Sequence, residues 1–381
     1  MKKFIAVAIA LCIFAGGALY LWFEQNTHRT SSIPRKADQS LVTPSTGTAD
    51  LPLIKPIATN LDTPWSIGRL PNGWLVVTER NGRVSKIDPQ IEEEPIQLGQ
   101  LSSAVEIGEG GLLGLAVHPS FSQNGYVYFY YTYRESGRNT VNRVVRMTLI
   151  DDSLQDEKTI VDAIPGASNH NGGRIVFGPD NLLYIGTGDA QEPSEAQDTQ
   201  SLAGKILRVT DTGDPASDNP FGNAVYSYGH RNVQGLAFDS EGNLWATEHG
   251  RSGALSGFDE INLIQPGGNY GWPTIQGDET MQGMISPIRH SGATTTWAPA
   301  GATVIGSSLF FAGLRGATLY EAVLNGGTII DFKEHFVGEY GRLRDALSVG
   351  NMLYMTTSNL DGRGKPTEND DQILRVNVEK L

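Results

Sequence analysis

The chain has 381 residues, a formal net charge of −13 and one cysteine. That charge disfavours a nucleic-acid partner, and the cysteine count excludes a disulfide framework. With the N-terminal segment set aside, roughly 330 residues remain, enough to bury about three quarters of the unfolded chain's surface without a metal or disulfide staple.

Residues 4–23 carry no charge and follow Met1-Lys2-Lys3, the pattern of a signal peptide or of a single membrane-spanning helix. Cleavage after Gly16-Gly17-Ala18 competes with the continuing apolar run Leu19-Tyr20-Leu21-Trp22-Phe23, whose aromatics suit a membrane interface. Residues 1–25 are therefore read as a signal peptide or N-terminal membrane anchor. On either reading the chain is exported, to the periplasm or another extracytoplasmic space, and meets the membrane only through this segment. Residues 26–50 are polar, rich in Ser, Thr and Pro, and without apolar period, which reads as a flexible linker. The folded domain is expected over residues 51–381.

From there the chain repeats a two-strand phrase: a short apolar run, a turn, then a run rich in β-branched and aromatic residues. The six copies begin at Trp65-Leu70 with Trp74-Thr78, Leu112-Val117 with Tyr126-Tyr133, and Arg174-Phe177 with Leu182-Thr187. They continue at Leu236-Phe238 with Leu244-Thr247, Ala302-Ile305 with Leu309-Ala312, and Ala346-Val349 with Leu353-Thr357. Spacings of about 45 to about 65 residues are those of propeller blades. Third strands are expected at Lys205-Val209, Glu260-Ile264 and Gln372-Val378, so the fold class is all-β, a six-bladed β-propeller of four-stranded antiparallel blades. The stretch Leu53-Asn60 is placed to supply the last blade's outer strand and close the ring.

In such a phrase the residues before the first strand and after the second lie at one end of the hairpin, and the turn lies at the other. Those positions read Trp65 and Glu79; Glu109; His170 and Asp189; Arg231, Asn232 and His249; Trp297 and Arg315; Arg342 and Arg344. One face is therefore chemical and the other structural. Asp189 is placed to orient the His170 imidazole as a general base. Arg231, Arg315, Arg342 and Arg344 imply an anionic ligand, since the guanidiniums would otherwise repel one another uncompensated. Asp345 could neutralise Arg344 or an adjoining blade. The segments Glu248-His249-Gly250-Arg251 and Gly257-Phe258-Asp259-Glu260 carry carboxylates and backbone carbonyls suited to Ca2+. Trp297 and Trp272 are as readily explained as fillers between blades.

At these residues the sequence resembles the soluble pyrroloquinoline quinone (PQQ) sugar dehydrogenases of the glucose/sorbosone dehydrogenase family, aldose sugar dehydrogenases included. The motifs that carry the resemblance are Gly110-Gly111-Leu112-Leu113-Gly114, His170-Asn171-Gly172-Gly173-Arg174, Gly229-His230-Arg231-Asn232-Val233-Gln234-Gly235, Asp259-Glu260-Ile261-Asn262, Gly268-Asn269-Tyr270-Gly271-Trp272-Pro273 and Arg342-Leu343-Arg344-Asp345. The resemblance implies His170 as catalytic base, Asp189 as its support, and Arg231 and Asn232 as quinone contacts. It further implies basic residues Arg315, Arg342 and Arg344 for the quinone carboxylates, an aromatic wall at Trp297, and cofactor contacts at Glu109 and His249. A cofactor-bound Ca2+ on the backbone oxygens of Gly250 and Arg251, and a structural Ca2+ at Glu260 and Tyr270, complete what it implies. Glu109 stands where the glucose dehydrogenases have Gln, Asn169 where they have Asp, His249 where they have Gln, and Arg315 where they have Lys. An extra carboxylate at Glu109, beside an anionic quinone, requires a compensating cation.

The activity expected is oxidation of an aldose's anomeric hydroxyl to a lactone, with a small sugar as substrate and an unidentified electron acceptor. Two other readings stand beside it. A Ca2+-dependent lactonase-type propeller would not need three arginines aimed at one ligand, and a non-catalytic binding module would be expected to lose the His and Arg positions.

Overall fold

The computed structural model describes residues 51–381 apart from 92, 136–139 and 254–255. The readings of residues 1–25 and 26–50 lie outside the described residues.

Twenty-four strands form six four-stranded antiparallel sheets. Strand β1 (Ile54–Ala58) comes first in the chain but belongs to the last sheet. The first blade is β2 (Pro64–Arg69), β3 (Leu75–Glu79), β4 (Arg83–Ile87) and β5 (Ile96–Gln100). The second is β6 (Leu112–Val117), β7 (Tyr126–Arg134), β8 (Thr140–Ile150) and β9 (Ser153–Pro165). The third is β10 (Ile175–Phe177), β11 (Leu183–Gly186), β12 (Lys205–Val209) and β13 (Val225–Tyr228). The fourth is β14 (Val233–Phe238), β15 (Leu244–Glu248), β16 (Glu260–Ile264) and β17 (Arg289–His290). The fifth is β18 (Pro299–Ile305), β19 (Ser308–Gly313), β20 (Thr318–Asn325) and β21 (Thr328–His335). The sixth is β22 (Leu343–Val349), β23 (Met352–Thr357) and β24 (Ile373–Asn377), completed by β1. The protein is a six-bladed β-propeller whose ring closes through the pairing of β1 with β24.

The packing explains why the inner strands are apolar on both sides while the outer ones are not. Six hydrophobic clusters occupy the six interfaces between neighbouring blades, for example Leu98 and Val84 of the first against Phe129 and Val145 of the second. Strand β7 reads Tyr-Val-Tyr-Phe-Tyr-Tyr because Val127 and Phe129 face one neighbour and Tyr128 and Tyr130 the other, all fully buried. The outer strands β9 and β21 have one side in water and carry Asp, Glu and Lys, which blunts their edges against further pairing.

Five of the six innermost strands bulge where they enter the sheet, with register shifts at Pro64/Ser66, Leu112/Leu115, Val233/Gly235, Pro299/Ala302 and Leu343/Asp345. A bulge frees one residue from the ladder and re-aims its side chain. Trp65, Gln234 and Arg344 are freed in this way, and they meet: Arg344 Nη1 donates to Gln234 Oε1 at 2.8 Å, and its guanidinium lies 5.6 Å from the Trp65 ring centre. The bulges thus turn polar groups from three blades toward one another. They also explain why β14, β18 and β22 each begin three residues earlier than apolar patterning suggests.

Candidate active site

A cavity of about 460 Å3 opens on the face to which these bulges point. Glu109, His170, Arg231, His249, Gly250, Arg251, Arg315, Arg342 and Arg344 all line it, drawn from the loops and strand entrances of five blades. Sequence positions as far apart as 109 and 344 therefore converge, as the end-of-hairpin argument requires.

His170 sits in a loop with φ +61, a conformation that side chains other than glycine rarely adopt. The neighbouring loop approaches it closely at Gly188, where a Cβ would stand 1.9 Å from the His170 carbonyl oxygen, so only glycine fits. That approach places Asp189 beside the imidazole, with His170 Nδ1 and Asp189 Oδ1 2.7 Å apart. Asp189 is fully buried; Oδ1 also accepts from Gln191 N at 2.9 Å, and Oδ2 accepts from Trp272 Nε1 at 2.9 Å. With the carboxylate fixed, Nδ1 carries the shared proton and Nε2 is the nitrogen left free to act. His170, on the cavity wall, and Asp189 behind it form a hydrogen-bonded imidazole–carboxylate pair.

Arg231 is held on several sides. Its backbone N–H donates to Glu248 at 2.8 Å, Nη2 donates to Ser252 Oγ at 2.9 Å, and the guanidinium lies 5.3 Å from the Trp272 ring centre. Glu248 in turn pairs with His230 at 2.8 Å and accepts from Asn262 at 2.8 Å. Burial lowers the Arg231 guanidinium from its ordinary value, and burial lowers Arg344 to about 9, with Arg342 and Arg80 adding repulsion. Arg344 still carries its charge at neutral pH.

The other cations are treated differently. Arg342 gives Nε and Nη2 to Asp361 Oδ2 at 3.0 and 2.8 Å and is neutralised there. Arg315 is exposed and donates to Ser256 Oγ at 2.9 Å. Asp345 neutralises neither Arg342 nor Arg344: it pairs across the axis with Arg174 of the third-blade entrance at 3.0 Å and accepts from Ile67 N at 2.8 Å.

Glu109 finds its compensating cation in Arg363, which sequence reasoning missed. Arg363 Nη1 donates to Glu109 Oε1 at 2.7 Å and Nη2 to Asn169 Oδ1 at 3.4 Å, while Glu109 Oε2 accepts from His170 N at 3.2 Å. Burial by itself would raise the Glu109 carboxyl. The His249 ring, the Arg363 guanidinium and the His170 N–H outweigh it and bring the pKa down to about 2. Burial lowers His249 to about 4, so its ring is neutral near pH 7.

Five expected residues stand off the cavity wall, Asp189 behind His170 and four others. Trp297 is 4 % exposed and packs against Phe311, Tyr320 and Phe332, so it fills a gap between blades instead of forming an aromatic wall. The reason is local: Thr296 Oγ1, Trp297 N and Ala298 N all donate to Asp259 Oδ2, which turns the backbone toward the site and the indole away from it. Asn232 is fully buried, and its Oδ1 accepts from Gly172 N at 2.9 Å, bracing the His170 loop. Glu260 lies behind the cavity, sharing Asn262 Nδ2 with Glu248, and burial beside Glu248 raises its carboxyl well above the ordinary range. Tyr270 stacks on His230 with ring centres 4.7 Å apart and donates its hydroxyl to Leu263 O at 2.6 Å.

Nine buried side-chain polar atoms among the described residues have no hydrogen-bond partner, and five of them lie on or behind this wall: Arg231 Nε, Asn232 Nδ2, His249 Nε2, Arg251 Nε and Arg344 Nε. Such orphans are costly and therefore rare away from a ligand site. The arrangement can hold a polyanionic, oxygen-rich molecule beside a histidine poised to take a proton.

A propeller with this face belongs to a known class. The glucose/sorbosone dehydrogenase family matches residues 61–365, and the chain belongs to that family. The PQQ-bound aldose sugar dehydrogenase of Streptomyces coelicolor superposes with a TM-score of 0.80 at 40 % identity, over 85 % of this chain and 97 % of that one. Quinoprotein glucose dehydrogenase B of Acinetobacter calcoaceticus is 32 % identical over 58 % of this chain and 52 % of its own length. Aldose sugar dehydrogenase YliI of Escherichia coli is 35 % identical over 56 % and 59 %. The chain thus aligns with little more than half the length of these two curated relatives.

Proposed function

We propose that the cavity binds PQQ and that the protein oxidises the anomeric hydroxyl of an aldose to the lactone. The observation that carries this reading is the set of unpartnered buried donors on Arg231, Asn232, Arg251 and Arg344 on or behind the wall of a cavity that His170 lines, with Asp189 hydrogen-bonded behind it. PQQ carries three carboxylates and two quinone oxygens, which is the complement such donors lack. The bound quinone supplies the acceptor for the hydride that leaves C1 of the sugar. His170 Nε2 takes the hydroxyl proton, and Asp189 holds the ring and stabilises the imidazolium that results. Arg231 and Arg344 present fixed positive charge, which costs no reorganisation at the moment of reaction. Arg315, whose hydrogen bond is to the neutral Ser256, is on the same wall to meet a carboxylate, whereas Arg342 beside it is already paired with Asp361.

For calcium, no group of three or more acidic, histidine or cysteine side chains is arranged to hold a metal ion among the described residues. The backbone oxygens of Gly250 and Arg251 on the cavity wall, and Glu260 with the Tyr270 carbonyl behind it, are the groups that would hold it. The test is titration of the cofactor-free protein with PQQ and CaCl2, followed by dye reduction across a panel of aldoses. His170→Ala should abolish turnover while leaving PQQ binding largely intact; turnover that persists in this variant would remove His170 from the mechanism.

A further inference from the structure

A second cavity of about 410 Å3 adjoins the first and shares Leu314, Arg315, Arg342 and Arg363 with it. Its outer wall is the segment 358–372, between β23 and β24. That segment is held from within. Asp370 Oδ2 accepts from Thr367 N and Oγ1 at 2.7 and 2.9 Å, and Asp371 Oδ1 accepts from Asn359 N and Thr357 Oγ1 at 2.6 and 2.9 Å. Asp361 is taken by Arg342. Three carboxylates of the segment are thus spent inward, and its cations Arg363 and Lys365 are left facing cavity and solvent.

Arg363 stands at the passage between the two cavities, half-exposed, its guanidinium paired with Glu109 and its backbone N–H donating to Asp361 Oδ1 at 2.9 Å. Lys365 lines only the second cavity and has no carboxylate partner among the described residues. Glu339, exposed on the rim, and Asp370, buried on the inner wall, are the opposing charges there. Tyr340 adds a partly exposed ring, the kind of surface on which a sugar's apolar face packs.

We propose that this second cavity is a subsite for the second sugar unit of an acidic aldose, an aldobiouronic acid. The reducing ring enters the first cavity, and the carboxylate of the second ring is received by Lys365 with Arg363 at the passage. The inference rests on the aldose reading of the first cavity and adds the substrate's charge and length. A neutral monosaccharide would leave Lys365 unused, whereas a uronic acid one ring farther on meets a cation on a segment already fixed in place, so little ordering is lost on binding.

The test uses methyl glycosides, which lack a free anomeric hydroxyl and cannot be oxidised. Calorimetric affinities are measured for the methyl glycoside of an aldobiouronic acid and of the neutral disaccharide with the same linkage, with and without PQQ and CaCl2. The acidic glycoside is expected to bind about two- to fivefold more tightly, as an ion pair with an exposed lysine provides. Lys365→Gln should close that gap and Glu339→Gln widen it. Equal affinities in the unaltered protein, no measurable binding of either glycoside, or a gap indifferent to Lys365→Gln would overturn the subsite. Dye reduction by a neutral aldose separates the two ideas. Turnover without the affinity gap removes the subsite alone, and the gap without any turnover removes the redox reading while the acidic site stands.

Discussion

Trp272 Nε1 and His170 Nδ1 engage opposite oxygens of one carboxylate: the indole donates to Asp189 Oδ2 at 2.9 Å while Oδ1 faces the imidazole at 2.7 Å. The same indole lies under the Arg231 guanidinium, 5.3 Å from ring centre to carbon. One side chain from the loop between β16 and β17 of the fourth blade therefore supports both His170, through Asp189, and Arg231.

Trp272→Phe keeps an aromatic ring beneath Arg231 and removes only the donor to Asp189. A buried carboxylate oxygen left unpaired costs about 1 to 3 kcal/mol, and Asp189 is fully buried. In the PQQ-loaded protein kcat/KM should fall about tenfold or more, with the acid limb of its pH profile displaced because the orientation of the base has loosened. A merely structural tryptophan would lower the melting temperature and leave that limb in place.

The Glu109 and Arg363 pair makes a pH prediction. The Glu109 carboxyl falls from an ordinary 4.5 to about 2 in the folded protein. A carboxyl whose folded pKa is depressed contributes stability that is fully present above the unfolded value, near 4.5, and is lost as pH falls toward about 2. Part of the shift comes from the His249 ring, which is neutral well above about 4, so what persists at pH 6 is the Arg363 ion pair and the His170 N–H. Urea denaturation of the cofactor-free protein should show Glu109→Gln less stable at pH 6, with the deficit shrinking steadily between pH 4.5 and 2. A deficit that does not change with pH would mean that Glu109 acts only through its shape.

The legibility of the sequence follows from which features repeat. Six turn-separated strand pairs are a periodic signal, and the closing strand at Leu53-Asn60 follows from the need to cover an edge, so the ring and its closure could be read directly. The convergence of His170, Arg231, Arg315, Arg342 and Arg344 could be read as well, because it depends only on which end of a hairpin a residue occupies. Trp297 could not be placed, because a side chain beside a strand end points inward or outward according to local hydrogen bonds, here those of Asp259. Bulges leave no mark in apolar patterning, so the meeting of Trp65, Gln234 and Arg344 was invisible. Arg363 lies in the glycine-flanked run Asp361-Gly362-Arg363-Gly364-Lys365, outside any strand phrase; its position between β23 and β24 on the same face was the one available signal.

Arg344 should trade stability for binding. It is 5 % exposed, its Nε has no partner, and Gln234 is the neutral acceptor of its one side-chain hydrogen bond to the protein. A buried charge without a paired carboxylate is costly until an anion arrives. Arg344→Met should therefore weaken PQQ binding by about 2 to 5 kcal/mol while leaving the melting temperature of the cofactor-free protein equal or higher. Melting curves with and without PQQ measure both effects; a variant that melts lower and binds PQQ as before would show Arg344 to be a structural cation.

The closing strand should matter for the site as well as for the ring. Strand β1 pairs with β24 from Ile54↔Val376 to Ala58↔Ile373, and Ile57, Ala58 and Leu61 are buried against the first and sixth blades. Leu61 and Asp371 exchange both backbone hydrogen bonds at 3.0 Å, so the strand also anchors the base of the segment that carries Arg363 and Lys365. Ile57→Ala should cost about 2 to 4 kcal/mol through the cavity it leaves. Deleting residues 51–61 should cost more and also expose the edge of β24. Hydrogen exchange in the deletion variant should rise at 358–372 ahead of the blades that do not touch β1. If thermal stability and exchange at 358–372 both match the intact chain, the ring does not depend on this strand and the anchoring of Arg363 lies elsewhere.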